Sequence, residues 1–157
     1  MQQNFNQSFP GFSDTSRVWI YSSNREIAEN EIDFIHRNLE EFTQQWATHG
    51  KELVASAAVI LNNFVVFVVD EKQVKASGCS IDSSVRFIKS IGSELKIDFF
   101  NRLSVLIENN GKLERIHFNE LKSFPDSILF DTTLRNLGDF RENFAIKLKE
   151  SRLFNLI

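Results

Sequence analysis

Six consecutive apolar residues, Phe64-Val65-Val66-Phe67-Val68-Val69, constrain this chain more than any other feature. Successive side chains of a strand point to opposite faces, so a strand with one wet face alternates apolar and polar residues. This run does not alternate, which predicts a strand buried on both faces, with a packed layer above and below it. The shorter run Val18-Trp19-Ile20-Tyr21 reads the same way, and the two are expected to be the central strands of one sheet. A chain of 157 residues can bury such a sheet in one core without disulfide or metal staples. Sixteen Phe against two Pro speak for an aromatic-rich core rather than for disorder.

Around these strands the residues predict a tail over 1–15 and a single domain over 16–157. The tail is rich in Gln, Asn and Ser, with Phe5, Phe9 and Phe12 available to dock and a Pro10-Gly11 turn. A strand over 17–22 leads to a first helix, where Ile32, Ile35, Leu39, Phe42 and Trp46 recur at steps of three and four and so share one stripe. Gly50 is read as its stop. Strands over 53–61 and 64–70 form a hairpin around Asn62-Asn63, residues that tolerate the positive φ of a tight turn. A second helix begins near Ser80 with Ile81, Val85, Ile88, Gly92 and Leu95 inward, the glycine implying close approach to the sheet. Strands over 103–108 and 112–118 flank Asn109-Asn110-Gly111, followed by a helical turn over 120–124 and an edge strand over 127–130. Leu137, Phe140, Phe144 and Leu148 then mark a last amphipathic helix.

The order up to residue 108 is β-α-β-β-α-β. It predicts an α+β fold with a ferredoxin-like βαββαβ core, both helices on one face of an antiparallel sheet, extended by an extra β-hairpin strand and a C-terminal helix. The second sheet face needs a cover, and the C-terminal helix is preferred to a partner subunit because its own stripe must be buried.

Composition narrows the functional classes. A formal charge of −3 leaves no basic face for nucleic acid. One cysteine excludes an internal disulfide and a structural zinc site, and a reducing, cytoplasmic setting is expected. No basic start with an apolar core and no apolar run of membrane-spanning length is present, so neither a leader nor a membrane span is expected. Gly50-Lys51 and Gly111-Lys112 lack the preceding glycine and following hydroxyl of a phosphate-binding P-loop, and no dinucleotide fingerprint occurs, so neither P-loop ATPase activity nor a cofactor is expected.

Chemistry concentrates in Ala76-Ser77-Gly78-Cys79-Ser80-Ile81-Asp82-Ser83-Ser84. A glycine, hydroxyls and a thiol at a helix start lie where free backbone N–H groups hold anions or activate thiols. Against a simple phosphate cradle stands Asp82, read as a first-turn carboxylate already complementing the helix end. The same residues also read as a plain cap, with Ser80 capping, Gly78 turning and Cys79 buried as a small apolar side chain. Of His36, His49 and His117, none has metal-ligand spacing with another His or with Cys79, so no metal is expected. His49, three residues past Trp46, is placed near the same helical face as a base for Cys79, or as a cation at the helix C-terminus. Asp70 and Glu71 end the buried strand and are either a carboxylate source for the loop to Cys79 or solvated turn residues.

The segments Ser16-Arg17-Val18-Trp19-Ile20-Tyr21, Phe42-Thr43-Gln44-Gln45-Trp46 with His49-Gly50, and Ala76 through Val85 resemble a family of small bacterial proteins often labelled "ABC transporter ATPase". The resemblance runs from about Ser16 to Arg102. It departs at Asn101, where the family pattern has Asp before Arg, so no carboxylate role carries over there. It implies no established activity, but it groups Trp46, His49, Gly78, Cys79, Ser80 and Asp82 as one site. Two functions are therefore expected. The first is a small-ligand or anion-binding domain, with or without enzymatic turnover, with Cys79 and His49 as reacting groups and Trp46, Ser77, Gly78, Ser80, Asp82 and Ser83 against the ligand. The alternative is a protein-interaction or homodimerising domain that uses the apolar sheet or the Phe-bearing tail.

Overall fold

The computed structural model describes residues 4–157, so residues 1–3 of the expected tail lie outside the described residues. The chain runs β1 (Arg17–Ser22), α1 (Glu29–Gln45), β2 (Ala47–Thr48), β3 (Lys51–Glu52), β4 (Val54–Ile60), β5 (Phe64–Asp70), α2 (Gly78–Leu95), β6 (Ser104–Asn109), β7 (Lys112–His117), β8 (Ile128–Phe130), α3 (Leu137–Asn143) and β9 (Ala145–Lys147). It is a mixed α+β arrangement of antiparallel sheets.

β5 is the centre of a three-stranded sheet ordered β1-β5-β4, and all six residues Phe64 to Val69 are 0% exposed. Val65, Phe67 and Val69 pack with Ile35, Leu39 and Trp46 at α1 and Ile88 of α2. Phe64, Val66 and Val68 pack on the opposite side with Leu137, Phe140 and Phe144, joined by Leu106 of β6 and Phe130 of β8. Each fully buried Val or Phe contributes about 1.5–3 kcal/mol, which is why a run without alternation fixes a strand between two layers. The second face is thus closed by the C-terminal segment together with the tail, whose Phe5 ring meets Phe140 and Phe144 edge-on at 5.9 and 5.1 Å.

The fourth strand of the expected ferredoxin-like sheet does not join it. β6 pairs with β7 and β8 in a second sheet ordered β7-β6-β8-β9, so both of its hydrogen-bonding edges are occupied and none is left for β1. The outer edge of β1 is met by residues 135–137 instead: Val18 N–H donates to the Arg135 carbonyl at 2.9 Å and Leu137 N–H to the Ser16 carbonyl at 2.8 Å. The cause lies in β6 itself, whose Leu106 faces the second core while Ile107 faces a third cluster with Leu121, Leu129 and Leu148. Burying Leu106 and Ile107 on opposite faces thus places β6 between the second and third clusters, where β7 and β8 take both of its edges.

The last helix is shorter than its stripe. α3 ends at Asn143, Ala145–Lys147 is a strand, and Leu148 opens a 3₁₀ turn, although Leu137, Phe140, Phe144 and Leu148 are all buried. Pairing of Ala145, Ile146 and Lys147 with Phe130, Leu129 and Ile128 overrides the helical period, and β8, expected at an edge, is flanked on both sides. The β4–β5 turn also shifts by one residue: Leu61 and Asn62 take positive φ (53° and 54°), while Asn63 is buried. The Asn63 amide donates to the Leu61 carbonyl and accepts from Arg115, and the Asn63 carbonyl receives Ser23 N–H, which locks it inside. At Gly92 the close approach is to the chain beyond the helix rather than to the sheet. A Cβ there would stand 2.5 Å from the Ile97 carbonyl oxygen, because Lys96 in the left-handed region (φ 56°) folds the backbone back.

The start of α1 is held by a paired charge. Both terminal nitrogens of Arg25 donate to the Glu31 carboxylate at 2.8 Å, one also reaches the Leu95 carbonyl at 2.8 Å, and Ala28 N–H donates to Glu31 at 2.9 Å. The Arg25 hydrogen bonds, then that of Ala28, pull the Glu31 carboxyl down to about 2. A depressed carboxylate stabilises the fold above its ordinary range near 4.5 and loses that contribution as pH falls toward 2. Glu31→Gln should therefore cost about 1 kcal/mol at pH 7, the value being small because Arg25 is part-exposed, and the gap to the parent protein in urea midpoints should close as pH is lowered.

Candidate functional site at the start of α2

The cap of α2 is Ser77, one turn earlier than expected. Its backbone is extended (φ −106°, ψ 172°), its hydroxyl accepts Ser80 N–H at 3.3 Å, and its own N–H donates to the Ser80 hydroxyl at 2.7 Å. The two serines satisfy each other's backbone donors, which fixes Ser77 at the cap and Ser80, buried, at the third helical residue. Gly78 and Cys79 are consequently the first two helical residues and both are exposed. The plain-cap reading of Cys79 as a buried side chain is overturned: its thiol is free and at the surface. Asp82 is likewise displaced from its expected place. It is the fifth residue of the helix, exposed, and the first turn carries no acidic side chain. Ser83 turns inward on the helix and donates to the Ser80 carbonyl at 2.7 Å.

The end of α1 meets this turn. Trp46, 3% exposed, donates its indole N–H to the Ser80 carbonyl at 2.8 Å and packs edge-on to Trp19 and Phe67 at 5.8 and 5.6 Å. Thr48 donates its hydroxyl to that of Ser77. Thr48 carries no local sequence signal beyond its closeness to Trp46, and it adds a second tie between the two segments.

α1 stops at Gln45, and Trp46 is already extended, so Gly50 is not a helix stop. Residues 47–52 instead form the β2–β3 hairpin, with His49 (φ 50°) and Gly50 (φ 78°) as its two-residue turn. His49 therefore stands exposed at a hairpin tip, not at a helix C-terminus. Among the described residues no hydrogen bond joins His49 to Cys79. His36 and His117 lie elsewhere, each accepting a backbone N–H, from Val59 and Asn119 respectively.

The loop into α2 is braced by the strand-end carboxylates. Glu71 accepts Ala76 N–H at 2.8 Å and lies 4.0 Å from the Arg17 guanidinium, which itself stacks 4.7 Å over Trp19. Asp70 accepts Lys72 N–H at 3.0 Å. Among the described residues no group of three or more His, Cys, Asp or Glu is placed to hold a metal ion, and no helix is long and apolar enough to cross a membrane. Comparison with protein-family models, with curated proteins and with solved structures gave no match.

Proposed function

We propose that the start of α2 is a binding site for a small anion or anionic ligand, with Cys79 as its reacting group. The observation that carries this reading is the exposure of Gly78 and Cys79, N–H groups and thiol together, on a helical first turn with no carboxylate of its own. An 18-residue helix presents the positive end of its dipole and unpaired N–H groups at that turn, a setting that favours negative charge. Gly78 and Cys79 offer backbone donors beside the Ser77 hydroxyl, which Thr48 and Ser80 hold in place, and Asp82 and Ser83 flank them one turn along. Trp46 and Ser80, both buried, act as positioning residues that hold the turn in place. His49 on the neighbouring hairpin is the candidate proton acceptor for the thiol. A free surface cysteine suits a reducing compartment, which supports a cytoplasmic setting.

Alkylation of Cys79 by iodoacetamide tests the site, with inorganic phosphate and nucleotides added as competing anions. Bound anion should slow the reaction by about threefold or more at saturation, and Cys79→Ser should abolish labelling. A labelling rate indifferent to every anion, with no anion binding seen by calorimetry, would remove the reading.

A further inference from the structure

The two faces of β5 are covered by the chain's own residues, but the β4 edge of its sheet carries no further strand. β4 is the outer strand of the order β1-β5-β4, and no strand pairs with its far side among the described residues. Antiparallel pairing alternates inward and outward backbone groups. Val59 N–H points away from β5, since it donates to the His36 imidazole at 3.2 Å. By the same alternation, Ala57 and Ala55 also turn their N–H and C=O groups outward. Natural edges are usually blunted by charge, proline or a bulge. β4, Val-Ala-Ser-Ala-Ala-Val-Ile, has none of these and pairs regularly with β5 over its whole length.

We infer that β4 is the contact edge between two copies of the chain, paired antiparallel about a two-fold axis through Ala57. This register is self-complementary. The outward groups of Ala55, Ala57 and Val59 meet those of Val59, Ala57 and Ala55 in the other copy, giving about six inter-strand hydrogen bonds. Ser56 falls opposite Ala58, small against small. Val54, 48% exposed and the most exposed apolar side chain of the strand, falls opposite Ile60, so each end of the ladder gains a pair of β-branched residues. Side-chain polarity agrees with the same axis. His36, Glu40 and Thr43 of α1 line a shallow groove of about 320 Å³ beside Ser56 and Ala57. Because His36 sits at Val59, the axis brings the His36 end of one α1 toward the Glu40–Thr43 end of the other. His36 then leaves Val59 N–H to the new strand and turns toward the opposing Glu40. A peptide of unrelated sequence could use the backbone groups but would not match Val54 to Ile60 at both ends, and this selects a second copy as the occupant.

Sedimentation velocity of the full chain between about 1 and 300 µM tests the pairing. The mass should rise from monomer to dimer. Ala57→Pro should hold it at monomer with unchanged circular dichroism, since an outward N–H can be lost from an edge strand without breaking its own ladder. A parent protein that stays monomeric throughout, or a dimer that persists in folded Ala57→Pro, overturns the inference. Should that variant not fold, amide exchange of the parent protein decides. The Ala55 and Ala57 amides should slow by about tenfold across the same range, and unchanged exchange there overturns it equally.

Discussion

Trp46→Ala should destabilise the fold by about 3–5 kcal/mol and loosen the first turn of α2 at the same time. The indole is almost wholly buried and meets Trp19, Phe42 and Phe67, so its removal leaves a cavity in the helix-side core that rigid strand β5 cannot collapse to fill. It also supplies a hydrogen bond to the Ser80 carbonyl, one of the ties between the end of α1 and the start of α2. Domains of this size have total stabilities of about 5–15 kcal/mol, so the variant should sit near the edge of folding at 37 °C. Trp46→Phe separates the two effects. It keeps most of the packing and loses the N–H, for about 1–2 kcal/mol, because the Ser80 carbonyl still receives the Ser83 hydroxyl. Urea unfolding gives both numbers, and the iodoacetamide rate of Cys79 in the folded baseline reports the turn. A Trp46→Ala protein within 1 kcal/mol of the parent would show that the ring cluster is not the centre of this core.

What was legible in the sequence is what depends on near neighbours. The run 64–69 announced burial on both faces because no local alternative accommodates six apolar residues in a strand, and the stripe Ile32 to Phe42 placed α1 on the core. Elements whose fate depends on distant pairing were misread. The turn Asn109-Asn110-Gly111 marks β7 as one neighbour of β6, as found, but nothing in residues 104–109 says that β8 claims the other edge, and nothing in Ala145-Ile146-Lys147 says that β8 lies open beside it. The inward face of α2 was legible in part. Ile88 and Gly92 are buried and Leu95 packs on the core as the stripe predicts, but the other buried residues are Ser80, Ser84 and Ile91, while Ile81 and Val85 are only half-buried. Ser84 is tolerated inside because its hydroxyl bonds back to the Ile81 carbonyl at 2.6 Å and also serves Tyr21, whose phenol burial pushes up. Hydrophobicity cannot register a hydroxyl that is satisfied within its own helix. The same blindness hid the Ser77–Ser80 reciprocity. Reading Ser80 as the cap moved the helix start by one turn's length and placed Asp82 in the first turn, so the one carboxylate weighed against anion binding lies deeper in the helix than its position suggested.

Arg141→Met should release the segment before β1 and cost about 2–4 kcal/mol, although Arg141 belongs to no site and touches no conspicuous motif. Its guanidinium donates to the Ser8 carbonyl at 3.1 and 2.9 Å and to those of Phe9 and Phe12 at 3.0 Å, and it pairs with Asp14 at 2.7 Å. Among the described residues that segment has no helix or strand, so the Ser8, Phe9 and Phe12 carbonyls have no ladder to join. Ordering it costs conformational entropy that burial of the Phe5, Phe9 and Phe12 rings offsets only in part, and concentrated polar ties must add to that burial. One planar fork reaching three carbonyls does so with a single ordered side chain, which a lysine cannot imitate. The Asp14 partner is a minor part: Asp14 is 73% exposed against 17% for Arg141, so Asp14→Asn should change stability by less than about 0.5 kcal/mol. Arg141→Lys should behave like Arg141→Met. Limited chymotrypsin digestion reads the release directly, through new cuts after Phe5 or Phe12 at enzyme levels that leave the parent intact. Equal resistance in Arg141→Met would mean that the aromatic contacts hold the segment alone. Cutting in Asp14→Asn but not in Arg141→Met would transfer the role to the ion pair. The expected order, Met and Lys variants cut early and the Asn variant late, follows only if the carbonyl contacts carry the attachment.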